Sequence, residues 1–424
     1  MLETNPSLQA AESRLESVRG ARLVALAPLL PLITATASAQ GQPSDIVFRC
    51  EVGPIDPSEL GLGAGGETGT GAPPTTDDPS GLCWQGSALL NLNWQIDLFG
   101  RGALGHRAAV YEQRASQGDV AATRLMLSAS TVTAYLDVVS AERQVEVLEA
   151  QLESQQDLLR ILELRYREGA VTALEVLQQR QAVASTESAL PLAQATAATQ
   201  LRALAALLGE GPAGTPVVAP TLPDPRPLPA IGTPEGLVVR RPDLQAASDR
   251  FVAARARRRS AIRALLPTVS ATANAGVQYA IDDDLSTIES LGIGGNLSVP
   301  LFNGGRGVGS VKQARGAEDA AVYTFDNAVL GAVRDVENAV VLDRRQAERH
   351  DAVLRQVEAS RDALGQATSQ YLEGANTFLN VLTTQASTLA AELSAIQAHR
   401  DRLGARVQLW TALGGSTRPS GGTP

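Results

Sequence analysis

The strongest constraint on this 424-residue chain is that it repeats itself. Pro6 to Gln42 aligns without a gap on Pro242 to Gln278, 236 positions later, and 17 of the 37 residues are identical. Further on, Tyr166-Arg-Glu-Gly-Ala-Val-Thr-Ala-Leu-Glu-Val-Leu177 aligns on Tyr371-Leu-Glu-Gly-Ala-Asn-Thr-Phe-Leu-Asn-Val-Leu382, 205 positions later, with 8 of 12 identical. Leu98-Phe99 aligns on Leu301-Phe302 at a shift of 203. Two copies of one unit of roughly 200 residues must therefore fold alike. The shift falls from 236 to 203 between the blocks, so the first copy carries 33 extra residues. They lie in the Gly/Pro/Thr-rich stretch 43–87, which reads as an exposed loop. The repeats are expected at 1–209 and 237–414, joined by a Pro/Gly-rich linker at 210–236 and followed by a disordered tail at 415–424.

Each copy has the same internal order. A helical segment (about 6–27 and 242–263) begins at a proline, which suits a first helical turn. Strict alternation follows. Ile33, Ala35, Ala37 and Ala39 alternate with polar residues, as do Val269, Ala271, Ala273, Ala275 and Val277, which predicts strands with one apolar face. A second alternating run sets Leu90, Leu92, Trp94, Ile96 and Leu98 against Asn91, Asn93, Gln95 and Asp97. Its counterpart carries Ile293, Leu297, Val299 and Leu301. Ala/Leu/Gln/Glu/Arg-rich stretches come next, 101–165 and 306–370, each about 97 Å long if continuous. After turns near Gly169 and Gly374 the chain returns through 173–208 and 378–413, with 237–263 expected to finish the first return and 2–27 the second. Helices of this length need partners along their whole extent.

Four half-apolar strands in two hairpins cannot bury their apolar faces in one small core. Two readings fit the alternation. One is a transmembrane barrel, apolar side to lipid and polar side to the lumen, whose four strands per chain close only when several copies assemble. The other is a soluble antiparallel sheet packed on helices. No stretch of 18 apolar residues occurs, which excludes helical membrane spans and nothing else.

Composition removes other classes. The net charge is −9, and no basic face for nucleic acid is visible in the sequence. Lys312 is the single lysine, so positive charge means arginine. His106, His350 and His399 are scattered over helical segments with no metal-ligand spacing. Gly305-Arg-Gly307-Val-Gly309 follows a strand and opens a helix as a dinucleotide loop does. Its spacing is wrong, and the preceding strand alternates where a buried parallel strand would be apolar throughout. No catalytic, cofactor-binding or metal residues are expected, and an enzyme is not. A structural coiled-coil protein explains the helices and leaves the paired strands unexplained.

Arg240-Arg241-Pro242-Asp243-Leu244, Leu266-Pro-Thr-Val-Ser-Ala-Thr-Ala-Asn-Ala-Gly276, Val299-Pro-Leu-Phe-Asn-Gly-Gly-Arg306 and Tyr371-x-x-Gly374 resemble the hallmark segments of outer-membrane efflux proteins. The closest type is the TolC-like lipoprotein branch attached to resistance-nodulation-division pumps. The resemblance runs in order from about residue 3 to 415. It implies a mixed α+β membrane protein: a homotrimer whose twelve strands form a β-barrel in the outer membrane of a Gram-negative bacterium, above a periplasmic α-helical tunnel. The implied partners are a periplasmic adaptor, an inner-membrane efflux pump and outer-membrane lipid, with a type I secretion exit duct as the alternative assembly. The implied function is passive conduction of small molecules.

Residue roles follow from the same resemblance. Gly169 and Gly374 would be helical tips facing the adaptor, or simply turn glycines; Tyr166 and Tyr371, three residues earlier, would face it too or pack between helices. The family narrows its tunnel with acidic side chains above the tips. Glu175 matches in the first copy, whereas Asn380 and Thr383 stand where aspartates are frequent in the second, implying a neutral constriction. Arg257-Arg258-Arg259 is expected to snorkel or solvate near the periplasmic rim. Asp282-Asp283-Asp284 is expected in an external loop, Trp84 and Trp94 in an aromatic belt, and Trp410 packed on the last helix. Cys50 and Cys83 bracket the first loop, where an oxidising exterior would permit a bridge. Met1-Leu-Glu-Thr-Asn-Pro6 shows no basic region leading into an apolar core, and members of this branch begin with a signal peptide and a lipidated cysteine. Cys50 lies beyond the first strand and cannot be that cysteine, so a truncated or mis-started product is expected.

Overall fold

The computed structural model describes residues 5–43, 82–211, 216–225, 227, 234–281 and 285–415. In chain order these form α1 (Pro6–Leu26), a 3₁₀ turn (Ala27–Leu29), β1 (Leu32–Pro43), β2 (Leu82–Ile96), α2 (Arg101–Arg167) and α3 (Ala173–Leu207). They continue as α4 (Pro234–Arg240), α5 (Pro242–Arg263), β3 (Thr268–Ile281), β4 (Leu285–Ser298), α6 (Arg306–Leu372) and α7 (Phe378–Ala412). Two compact units cut across the sequence repeats. One comprises Glu16–Arg114 and Asp249–Tyr323; the other comprises Met1–Leu15, Ala115–Ser248 and Thr324–Pro424.

The first of these units holds a four-stranded antiparallel sheet in the order β1-β2-β3-β4. Its register aligns the alternation across all four strands. Ile33 pairs with Leu92, Leu92 with Ala273, and Ala273 with Ile293; the next apolar row is Ala35, Leu90, Ala275 and Leu291. Side chains alternate with a period of two, so these rows share one face. The intervening row Thr34, Asn91, Asn274 and Gly292 lies on the other, where the Ser38 and Ser87 hydroxyls meet at 2.9 Å. The apolar face is uncovered: Ile33 is 59% exposed, Leu291 81% and Ile293 86%. A soluble sheet packed on helices would bury these residues, so that reading fails.

The strands are shorter at one end than the alternation suggests. β2 stops at Ile96 and β4 at Ser298, before Leu98, Val299 and Leu301. Asp97 turns the chain, its Oδ2 accepting the Ala103 amide at 2.8 Å at the start of α2. Pro300 has no N–H to continue a ladder. β2 also begins at Leu82, inside the stretch expected to be loop. Residues 44–81, and with them Cys50, lie outside the described residues, as do Asp282–Asp284, residues 416–424 and the side chains of Cys83 and Trp84. Within this unit α5 lies along α2, with Ser260 Oγ donating to the Arg101 carbonyl at 3.0 Å and Arg263 Nη1 to that of Phe99 at 2.6 Å.

Among the described residues, the regular elements of the second unit are all helices. Hairpin α2–α3 is tied by Arg180 to Glu163 (2.7 Å) and by buried Gln179, whose Nε2 donates to the Gln155 carbonyl at 2.8 Å. Hairpin α6–α7 is tied by Arg361 to Glu392 (2.6 Å) and Arg349 to Asp401 (2.8 Å). Such exposed pairs contribute little each. Arg406 differs: it grips Asp343 through two bonds at 2.7 and 3.2 Å, and only 6% of the Asp343 side chain is exposed. Leu237, Leu244, Ala332, Val336, Ala339, Leu409 and Leu413 form a core around the end of α7. The Gly118 backbone of α2 approaches α5 so closely that a Cβ there would sit 2.9 Å from the Pro242 carbonyl.

The helix ends are joined by equivalent devices in the two copies. Asn5 is buried; its Nδ2 donates to the last carbonyls of α3 (Leu207 O, 2.8 Å) while its Oδ1 accepts the Ser7 amide that opens α1 (2.9 Å). At the position aligned with it, Arg241 donates to the Ala412 carbonyl of α7 at 3.2 Å and grips Asp243 in the first turn of α5 at 2.7 Å. The expected pairing of the returns is therefore corrected. α1 continues from α3, and α5 from α7, because the polar side chain before each proline satisfies both helix ends.

Arg241→Met is expected to cost about 2 kcal/mol, since it strips a charged hydrogen-bond donor from a buried helix end. Burial alone would raise the Asp243 carboxyl, but hydrogen bonding and charge from Arg241 outweigh it and hold the group below the ordinary range. A depressed carboxyl stabilises above its unfolded value, and that stability is lost as pH falls through the folded one. The gap between the melting curves of wild type and variant should therefore narrow as pH falls below about 4, leaving the part due to the Ala412 carbonyl; a constant gap across that window would contradict the assignment.

Candidate functional site

The two hairpins end on the same turn, built twice. In the first, the Gly169 amide donates to the Tyr166 carbonyl (3.0 Å) and Ala170 N to Arg165 O (2.8 Å). In the second, Gly374 N donates to Tyr371 O (3.1 Å) and Ala375 N to Gln370 O (2.8 Å). These are Schellman caps, which need a left-handed residue at the stop; Gly169 has φ 73° and Gly374 φ 76°.

Beyond the turns the copies diverge. α3 opens with a capping box: the Thr172 amide donates to Glu175 Oε2 (2.7 Å), and the Glu175 amide to Thr172 Oγ1 (3.4 Å). α7 begins after Thr377, whose side chain caps nothing. Asn380 occupies the place of Glu175 and bonds back to Asn376 Oδ1, and the Asn376 carboxamide oxygen also accepts the Thr377 amide at 2.9 Å. Thr383 donates to the Asn380 carbonyl at 3.0 Å. Asn380 and Thr383 are both exposed, neutral and locally satisfied.

The tyrosines separate as well. Tyr371 packs 5.3 Å from the ring of Phe378, which is buried with Leu162, Val176, Ala367 and Val381 from all four long helices. Its hydroxyl donates to Glu175 Oε1 at 3.3 Å, linking the second hairpin to the first. Burial, then the Glu175 carboxylate, push the Tyr371 phenol above its usual value. Tyr166 is 49% exposed and borders a shallow groove with Arg167, Leu177 and Arg180. Glu175 is thus placed with Tyr371 and Gly374 at one site, while Tyr166 stands apart on the surface. Thr172-x-x-Glu175 is a legible capping signature, so Glu175 has a helix-opening role beside the constriction implied by its position.

Other candidates resolve structurally. Among the described residues no group of three or more His, Cys, Asp or Glu side chains is placed to hold a metal. His350 and His399 pack against each other with ring centres 5.0 Å apart and the planes tilted by 48°. The glycine run at 305–309 opens α6 with its Gly307 amide already bound to Asn303 Oδ1 at 3.2 Å, which leaves that donor unavailable to a phosphate. Of the arginine run, Arg257 pairs with Glu112 at 2.7 Å and Arg258 with Glu318 at 2.9 Å.

A sheet of four strands per chain rooted in long helical hairpins defines the TolC-like outer-membrane channels. The outer-membrane channel OprN superposes with a TM-score of 0.80 at 27% identity, covering 99% of this chain and 89% of that one. VceC of Vibrio cholerae superposes with a TM-score of 0.79 at 26% identity, covering 98% and 94%. The chain is also 31% identical over 418 residues, 98% of its length and 83% of the relative's, to the pyoverdine export outer membrane protein OpmQ of Pseudomonas aeruginosa. The chain belongs to the outer membrane efflux protein family, whose model matches residues 1–210 and 234–415. It is an outer-membrane component of an efflux system, in a family of trimeric transport channels that reach into the periplasm of Gram-negative bacteria.

Nothing lies within 4 Å of the space a Cβ would occupy at Gly169 or Gly374, so the cost of substitution there is conformational alone. Gly374→Ala is expected to destabilise by about 1 kcal/mol. Gly374→Asn should cost less, because asparagine tolerates the left-handed region. Equal thermal shifts for the two variants would show that the turn geometry is not what limits this position.

Proposed function

We propose that this chain forms the passive exit conduit of a tripartite efflux assembly, driven by an inner-membrane pump and opened at the hairpin turns when a periplasmic adaptor engages them. No nucleotide site, metal or nucleophile is required, because energy enters at the pump. The observation that carries the reading is the Tyr371–Glu175 hydrogen bond. It ties one hairpin to the other beside two exposed glycine turns, so separating the hairpins requires breaking it. A single neutral-to-charged bond of this kind is weak enough for a docking partner to offset.

The constriction role of Glu175, Asn380 and Thr383 belongs to the same proposal. Glu175 is held by Thr172 and Tyr371, and the aligned position of the second copy is uncharged. A trimer would then carry three carboxylates and three carboxamides at that level, and cation attraction would be correspondingly modest.

Tyr371→Phe removes one hydroxyl and leaves the packing on Phe378. It is expected to raise the closed-state leak of the trimer in planar bilayers several-fold, whereas Glu175→Gln, which keeps an acceptor, should change it less. An unchanged leak in Tyr371→Phe would remove the bond from the gate. Asn380→Asp adds one negative charge per chain near the turn and is expected to shift reversal potentials towards cation selectivity. If selectivity stays where it was, Asn380 does not line the path.

A further inference from the structure

Three arginines gather on one face of the strand-bearing unit with no acid to meet them. Arg107 of α2 and Arg255 and Arg259 of α5 line a groove of about 290 Å³ together with Leu104, Tyr111 and Val252. None of the three has a carboxylate within 4.0 Å among the described residues, although the adjacent Arg257 and Arg258 are both paired. Arg107 lies 5.7 Å from the Tyr111 ring centre, which orients its guanidinium and leaves the charge unanswered.

Their placement matters as much as their charge. Arg259 and Arg255 come four and eight residues before the end of α5, and Arg107 six residues into α2. At about 1.5 Å per residue these positions fall roughly 6, 12 and 9 Å along the helices from the turns that lead to the strands. Between them and the strands lie exposed apolar side chains: Ile262 near the end of α5, Leu266 in the turn after it, and Leu98 and Phe99 before α2. An apolar band next to the strands, followed by arginine one to two turns away, is the order of a hydrocarbon edge and a headgroup layer.

We propose that this groove binds the phosphate of an anionic phospholipid from the periplasmic leaflet, with Arg107, Arg255 and Arg259 as its ligands and the adjoining apolar side chains against the upper acyl chain. Guanidinium forks suit phosphate oxygens, and each arginine at a membrane surface adds attraction to anionic lipid. The proposal rests on the sheet being the membrane-spanning part and is independent of how the hairpin turns open.

Purified trimer is titrated in detergent with phosphatidylglycerol or phosphatidylcholine, and bound lipid is counted by native mass spectrometry. Wild type is expected to prefer phosphatidylglycerol by about tenfold or more. R107Q/R255Q/R259Q should fall to near parity with trimer and conductance unchanged, Arg259→Gln should fall part-way, and R315Q/R344Q/R345Q, which removes equal charge elsewhere, should keep the preference. A preference retained in the first variant, or lost equally in the control, overturns the proposal. So does displacement of the lipid by excess inorganic phosphate, which marks a free-anion site. A changed ion selectivity with unchanged lipid binding would place the arginines in the lumen and overturn it as well.

Discussion

Everything in this chain answers to a sheet it cannot close. Among the described residues β1 and β4 each have a strand on one side only, and no helix covers the face of Ile33, Leu291 and Ile293. In hydrocarbon an open edge is not tolerated, and in water an uncovered apolar face invites aggregation. One geometry removes both problems: further copies of the chain pair edge to edge, and lipid covers the apolar face. Strand count and alternation require several copies of the chain, and the trimers of this family supply them.

The helices pose the complementary problem of length. Among the described residues no helix is as long as α2 or α6 in the return direction, and two helices meet end to end instead, α3 with α1 and α7 with α5. Each junction would expose four carbonyls and four amides. Asn5 and Arg241 are two chemical solutions to it, one neutral and one charged, at aligned positions. This accounts for the Arg240-Arg241-Pro242-Asp243-Leu244 segment physically. The arginine serves the helix that ends, the proline starts the next, and the aspartate holds the arginine in place.

Much of this was legible in the sequence. The period-two rows around 33–40 and 269–278 and the long arms at 101–165 and 306–370 follow from side-chain pattern, and the structure extends each strand by a few residues and each arm by two. The glycine stops were equally visible, since a reversing helix end favours a residue free to take positive φ, and Gly169 and Gly374 share one register. The partnering of helix ends was not. Segment lengths are nearly interchangeable between copies, and the choice is made by two side chains that hydrogen-bond across more than 150 positions. The arginine groove escaped for the same reason, as Arg107 and Arg255 are far apart in the chain and a net charge of −9 hides a local excess. The role of Glu175 was half visible: alignment marked the position, but Thr172 and Tyr371 decide what its carboxylate does.

The capping box present in one copy and absent from the other has a further consequence. Each chain carries two turns with almost the same backbone, so a trimer carries six. Three of the helices that leave those turns are pinned by Thr172 and Glu175, and three begin without a side-chain lock at Thr377. The backbone device is thus repeated six times and the capping box three times. In the other three turns Asn376 takes up the Thr377 amide and the Asn380 carboxamide, so two side-chain chemistries sit on one backbone shape.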